Sequence, residues 1–237
     1  MNTIAPIRPK VLFKHVEERF PNQNIGFKVN IPSADIGGMT LLESSILVCL
    51  AKLTHATQLF EFGTFMGATT LLLADNTPPH AQVVTLDISP EELATLECNN
   101  SNILQDGNAN DDFLRQQHTL HGARCIQRAS TDIQQKIQAI QHNSLTLNTA
   151  QHGLDKRFDF IFIDGGHHYN IVEHDTANAY RMAKPNAVIA WHDYGSKIHT
   201  DVTEFLNLHG HNRTLYHVEN TMIVFELLGE FSGLLDE

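Results

Sequence analysis

QLFEFGTFMGATTLLL, residues Gln58 to Leu73, is the stretch from which the fold can be read. An apolar run rich in Phe and Leu breaks at Glu61-Phe62-Gly63-Thr64-Phe65-Met66-Gly67 and resumes with helical character from Ala68 to Ala74. The pattern predicts a strand, a tight glycine-bearing turn and a helix. Such a junction aims backbone N–H groups and the positive end of a helix at the crevice beyond the strand's carboxyl edge, where α/β folds hold nucleotide-like ligands. The dinucleotide fingerprint G-x-G-x-x-G is not met, because Phe65 stands where a second glycine would let a pyrophosphate approach. A ligand without a pyrophosphate is therefore expected.

Working outward, Gln82-Val83-Val84-Thr85-Leu86-Asp87 reads as a second strand ending in an acid. Asp87 lies 24 residues beyond Gly63, close to the spacing at which a carboxylate meets a ribose in βαβ nucleotide sites. Its other reading, a cap for a helix starting near Pro90, suits Ser89 better. Upstream, residues 39–53 place Leu41, Leu42, Ile46, Leu47, Leu50 and Leu53 on one helical stripe, and Thr40 with Glu43 makes a capping box at its start. An earlier helix is predicted over residues 11–20, ended by Pro21. Residues 30–40 between the two helices are a candidate cover for the crevice, with an ordinary surface loop as the alternative.

Downstream, an Asn-rich connection with a short helix around Asp112–His118 leads to an expected third strand at Ala123–Gln127. Residues Arg128–Ile133 are then expected to turn into a helix, and residues 141–156 to form a polar loop. Phe158–Ile163 is the strongest strand signal and ends in Asp164-Gly165-Gly166-His167-His168-Tyr169, with a helix to Met182. Ala187–Trp191 follows as a fifth strand, ending in His192-Asp193-Tyr194-Gly195. Two neighbouring parallel strands would thus each deliver a carboxylate to one rim. A helix over Thr200–His209 and two strand runs, Thr214–Val218 and Thr221–Glu226, close the chain.

The bulk numbers agree with one α/β domain. The 237 residues can bury roughly 70–75% of their unfolded surface. Apolar runs fall short of the roughly 20 residues a membrane span needs, and MNTIAPIRPK lacks the apolar core of a signal peptide. Cys49, Cys98 and Cys125 have no CxxC spacing and read as buried thiols, so the cytoplasm is the expected compartment. A net charge of −11 without clustered Lys and Arg argues against nucleic acid and for a small-molecule partner.

EFGTFMGAT resembles the first motif of class I S-adenosylmethionine (SAM) dependent methyltransferases, in the E-x-G-T-x-x-G form of the catechol and caffeoyl-CoA O-methyltransferase group. DGGHHY and HDYG are similar to the strand ends at which such enzymes bind a divalent cation through carboxylates. The resemblance covers about residues 39–227. It implies a Rossmann-like, doubly wound and mostly parallel seven-stranded sheet, with an antiparallel C-terminal edge hairpin and helices on both faces. It also sets an N-terminal helix and cover segment, residues 1–38, before a methyltransferase domain over residues 39–237. A homodimer, where one forms, is expected to pair through residues 1–30.

The implied activity is transfer of a methyl group from SAM to a hydroxyl of a small molecule. Glu61, Gly63, Thr64, Phe65, Gly67, Asp87, Ser130, Thr131 and Asp164 would hold the cofactor, Glu61 by reaching its methionine end or by steadying the turn, and Ser130 and Thr131 beside the adenine unless they only cap the following helix. Asp164, His192 and Asp193 would hold a divalent cation. His192 departs from the family's Asp or Asn, and imidazole suits Mn²⁺, Zn²⁺ or Fe²⁺ better than Mg²⁺. His167 stands where catechol-type members carry a catalytic Lys, and Asp164 stands beside it as the second candidate catalytic group. A histidine of pKa near 6.5 can take a hydroxyl proton at neutral pH. The alternatives are a metal-dependent hydrolase or hydroxylase-like enzyme that does not use SAM, and a catalytically inert SAM-fold interaction module.

Overall fold

The structure, a computed structural model, describes residues 4–30, 37–89, 91–93, 114, 117–118 and 120–235. In chain order the elements are β1 (Ala5–Ile7), α1 (Pro9–Arg19), α2 (Leu41–Leu53), β2 (Gln58–Phe62), α3 (Ala68–Asn76) and β3 (Gln82–Asp87). Then come α4 (Arg124–Gln127), α5 (Thr131–Gln134), β4 (Ile137–Gln141), β5 (Phe158–Ile163), α6 (Tyr169–Met182) and β6 (Ala183–Trp191). The last are α7 (Thr200–His209), β7 (Tyr216–Val218) and β8 (Val224–Leu227).

Eight strands form one sheet in the order β1-β7-β8-β6-β5-β2-β3-β4. Every pairing is parallel except those of β8 with β6 and with β7. All six side chains of β5 are buried, as a strand covered on both faces requires. Phe160 and Phe162 pack on one face with Leu47 and Leu50 of α2 and Leu73 of α3. Ile161 and Ile163 pack on the other with Val172 of α6 and Phe205 of α7. The fold is thus Rossmann-like and doubly wound.

Three expectations need correction. The sheet has eight strands rather than seven, because Ala5–Ile7 pairs in parallel with Tyr216–Val218. The C-terminal hairpin therefore lies inside the edge, with β8 between β6 and β7. The strand expected at Ala123–Gln127 is instead the helical turn α4, and the strand lies at Ile137–Gln141. Two contacts explain the exchange: Cys125 N–H donates to the Met66 carbonyl at 3.0 Å, and Ile126 packs where a Cβ on Gly67 would fall. Gln138, Ala139 and Gln141 of β4 are exposed at the sheet edge, so the segment carries no continuous apolar run. The short helix expected at Asp112–His118 lies largely outside the described residues. Leu12 and Val16 of α1 share the core of α2, so residues 5–19 build onto the sheet of the following domain.

Register positions the site. Phe62 pairs with Leu86 and Ile163, and Ile163 pairs with Trp191. The next residue of each strand, Gly63, Asp87, Asp164 and His192, therefore emerges on one carboxyl rim. Among the described residues no helix is long and apolar enough to cross a membrane.

Candidate active site

A cavity of about 450 Å³ opens at this rim. Gly63, Thr64, Phe65 and Met66 line it together with Asp87, Asp164, His167, His192, Asp193 and His199.

The turn after β2 forms one wall. Gly63 has φ +92°, and a Cβ there would fall onto the Asp164 carbonyl oxygen, so no side chain fits. Gly67, at φ +77°, caps the N-terminus of α3. The Asp87 carboxylate ties the turn to β3, because Oδ2 accepts from Phe65 N–H at 2.7 Å and Oδ1 from Ile88 N–H at 2.8 Å. Ser89 caps the helical turn that follows, accepting from Glu92 N–H at 3.1 Å, which leaves Asp87 facing the cavity.

Glu61 lies beneath the turn and not on the cavity wall: it is 1% exposed and accepts from the hydroxyls of Thr70 and Thr85. Burial drives its pKa up to about 8 against the pull of those hydroxyls, and the charges of Asp164 and Asp87 add to the rise. Its position supports the turn rather than contact with a ligand. Ser130 and Thr131 are exposed at the start of α5 and do not line the cavity. Asn143, Ser144 and Leu145, after β4, line it in their place. The displaced strand accounts for the difference, since β4 follows Ser130 and Thr131 in the chain and reaches the rim only at Gln141.

The opposite wall carries the acids and imidazoles. His192 Nδ1 lies 3.4 Å from Asp164 Oδ1 and 3.3 Å from Asp193 Oδ2, while its Nε2 lies 3.5 Å from Glu43 Oε1. Burial disfavours a charged ring, but Asp164, Asp193 and Glu43 outweigh it and hold the His192 pKa well above the usual histidine value. Burial likewise raises Glu43, yet His192, the Met222 N–H and Thr40 pull it down to about 2. Asp193 is lowered too: burial is overcome by hydrogen bonds and charge from His167 and His192.

Two oxygens and one nitrogen, from Asp164, Asp193 and His192, converge within 4.8 Å of one another, a donor set that fits a divalent ion once the ion displaces the proton these acids hold on the His192 ring. His167, Asp193 and His199 form a second close group. The rings of His167 and His199 are stacked, however, with centroids 3.6 Å apart and planes at 19°. Their in-plane lone pairs then run side by side, so the pair is poorly arranged to chelate one ion. His167 Nε2 lies 3.1 Å from Asp193 Oδ2, an imidazole–carboxylate dyad.

Glu43, His118 and His199 join the site without a motif to mark them. The sequence presents Glu43 only as a capping-box residue, which it also is, accepting from Thr40 N–H at 2.8 Å. Asp175, whose sequence setting in a helix suggests a structural role, lines the cavity at 1% exposure. Its Oδ1 has no hydrogen-bond partner among the described residues, and burial lifts its pKa to about 7 despite Ser144.

The sequence profile of a family described as a methyltransferase domain matches residues 60–194, more than half of the chain. The chain belongs to that family. Solved methyltransferases share its fold. The O-methyltransferase of Bacillus cereus, in complex with S-adenosylhomocysteine (SAH), is similar at TM-score 0.50 and 16% identity, over 92% of this chain and 89% of that one. An SAH-bound methyltransferase of Podospora anserina gives 0.51 and 16%, over 94% and 88%. A protein of Staphylococcus aureus described as a putative caffeoyl-CoA O-methyltransferase gives 0.51 and 14%, over 93% and 92%. No curated protein sequence matches the chain.

Proposed function

We propose that this methyltransferase-family chain transfers the methyl group of SAM to a hydroxyl of a small molecule. The observation that carries the reading is the cavity in which the Gly63–Gly67 turn with Asp87 faces the His167–Asp193 dyad. Its volume, about 450 Å³, lies in the range of small-ligand sites.

SAM carries an activated methyl on a sulfonium, so the protein's task is to align acceptor oxygen, methyl carbon and sulfur, which can supply roughly 7–11 kcal/mol. Gly63, Thr64 and Phe65 would cup the cofactor while Gly67, packed against Ile126 and off the cavity wall, starts the helix behind them; Asp87 would accept from the ribose, and Asn143–Leu145 would flank the adenine. Asp193 accepts from His167 Nε2–H and orients the ring. Nδ1 is then the atom that takes the acceptor's proton as the oxygen attacks the methyl and SAH leaves. Asp164, Asp193 and His192 would hold a divalent cation, which when bound would polarise the acceptor hydroxyl. Gly37 and Gly38 line the cavity, which supports reading residues 30–40 as its cover, although residues 31–36 lie outside the described residues.

Incubating the chain with methyl-labelled SAM and a panel of phenols, aliphatic alcohols, amines, thiols and carboxylic esters tests the reading by mass spectrometry. Label is expected on oxygen of at least one class, with stoichiometric SAH. Label appearing only on nitrogen or sulfur acceptors, or hydrolysis of a panel member without SAM, would replace it.

A further inference from the structure

The ribose end of the cavity has a wall that the family motifs do not supply. His118 comes from the segment between β3 and α4, 31 residues beyond Asp87, and lines the cavity with only 16% of its side chain exposed. Its Nδ1 lies 3.1 Å from the Phe65 carbonyl oxygen and 3.7 Å from Asp87 Oδ2. A carbonyl can only accept, so Nδ1 carries a proton, and in the neutral ring Nε2 is then an acceptor. The same segment reaches the cavity again at Leu114, which lies 2.8 Å from where a Cβ on Gly37 would stand. Two stretches remote in sequence thus meet over Phe65, beside the Asp87 carboxylate.

We propose that His118 is a cofactor-binding residue that accepts a hydrogen bond from one ribose hydroxyl of SAM while Asp87 accepts from the other. The inference rests on the SAM reading above. The two ribose hydroxyls offer two protons. Asp87 already gives one lone pair of each oxygen to Phe65 N–H and Ile88 N–H, and a second acceptor at its side lets each ribose hydroxyl meet its own group instead of crowding both onto one carboxylate. Phe65, held at φ +45° in the turn, fixes the ring through its carbonyl.

Titration calorimetry with SAH and with its 2′-deoxy and 3′-deoxy ribose analogues tests this on the full chain. His118→Ala is expected to weaken SAH about tenfold, the size of one lost hydrogen bond, and to weaken one of the deoxy analogues less than twofold. His118→Phe, which keeps a ring without an acceptor, should show the same pattern, and His118→Gln should recover part of the affinity. Equal loss towards all three ligands, or full affinity in His118→Phe, would reduce the residue to packing and overturn the assignment. Wild-type chain that binds no SAH would overturn the cofactor reading along with it. Wild-type binding with an unaffected His118→Ala overturns this inference alone.

Discussion

Gly63 admits no substitution, because its left-handed φ and the Asp164 carbonyl both exclude a Cβ. Gly63→Ala is expected to lose at least about 3 kcal/mol in urea unfolding, or to fail to accumulate as folded protein. An alanine variant within about 1 kcal/mol of wild type would mean that the turn relaxes more freely than its geometry allows. At the other wall, His167→Ala is expected to lower kcat roughly 10²–10⁴-fold, the usual share of a general base, with SAH affinity unchanged. A variant that keeps turnover, or loses SAH binding instead, would move His167 out of the proton-transfer role. Both residues stand out in the sequence, Gly63 from its strand–turn setting and His167 from its place after DGG. Glu43 and His199 do not, since they lie 124 residues before and 32 residues after His167 and meet the site only through packing.

The β2–turn–α3 junction rests on a carboxyl that is most stable when protonated. Because the folded-state pKa of Glu61 is raised to about 8 from 4.5, the stability it contributes is complete below pH 4.5 and is lost as pH rises through about 8. Glu61→Gln, which cannot ionise, should flatten the loss of stability as pH rises from 4.5 through about 8 in urea titrations. Parallel pH profiles for the two proteins would show that the buried carboxyl is not the source. Glu43 at the start of α2 acts with the opposite sign: its pKa falls to about 2, so its contribution is present above pH 4.5 and lost on acidification. The capping box that announces α2 is legible because it is local, Thr40 and Glu43 being three residues apart. That the same carboxylate also accepts from Met222 N–H, 179 residues away, is not.

For the whole chain, a cofactor that binds only the folded state must raise its stability by mass action. SAH at a hundred times its Kd is expected to add about 2.7 kcal/mol, a rise in Tm of roughly 5–10 °C for a chain of this size. A scan with millimolar SAH that leaves Tm unmoved would remove the cofactor from the account. Stretches far apart in the chain meet at the cup, since Gly37 and Leu114 come together beside Phe65. The N-terminal strand extends the sheet beyond β7, so truncation before Pro9 would expose the edge at Tyr216–Val218.

Residues 58–73 determined by themselves that a strand, a glycine turn and a helix follow one another, because each of those choices depends on neighbours a few residues apart. The DGG and HD strand ends were likewise marked by abrupt changes from apolar to polar residues. The tertiary structure decided which ends share a rim, since parallel strands are joined by long crossovers and only register brings Gly63, Asp87, Asp164 and His192 level. It also decided that Ile137–Gln141 and not Ala123–Gln127 completes the sheet, because a half-exposed edge strand buries too little to leave a pattern in its own residues.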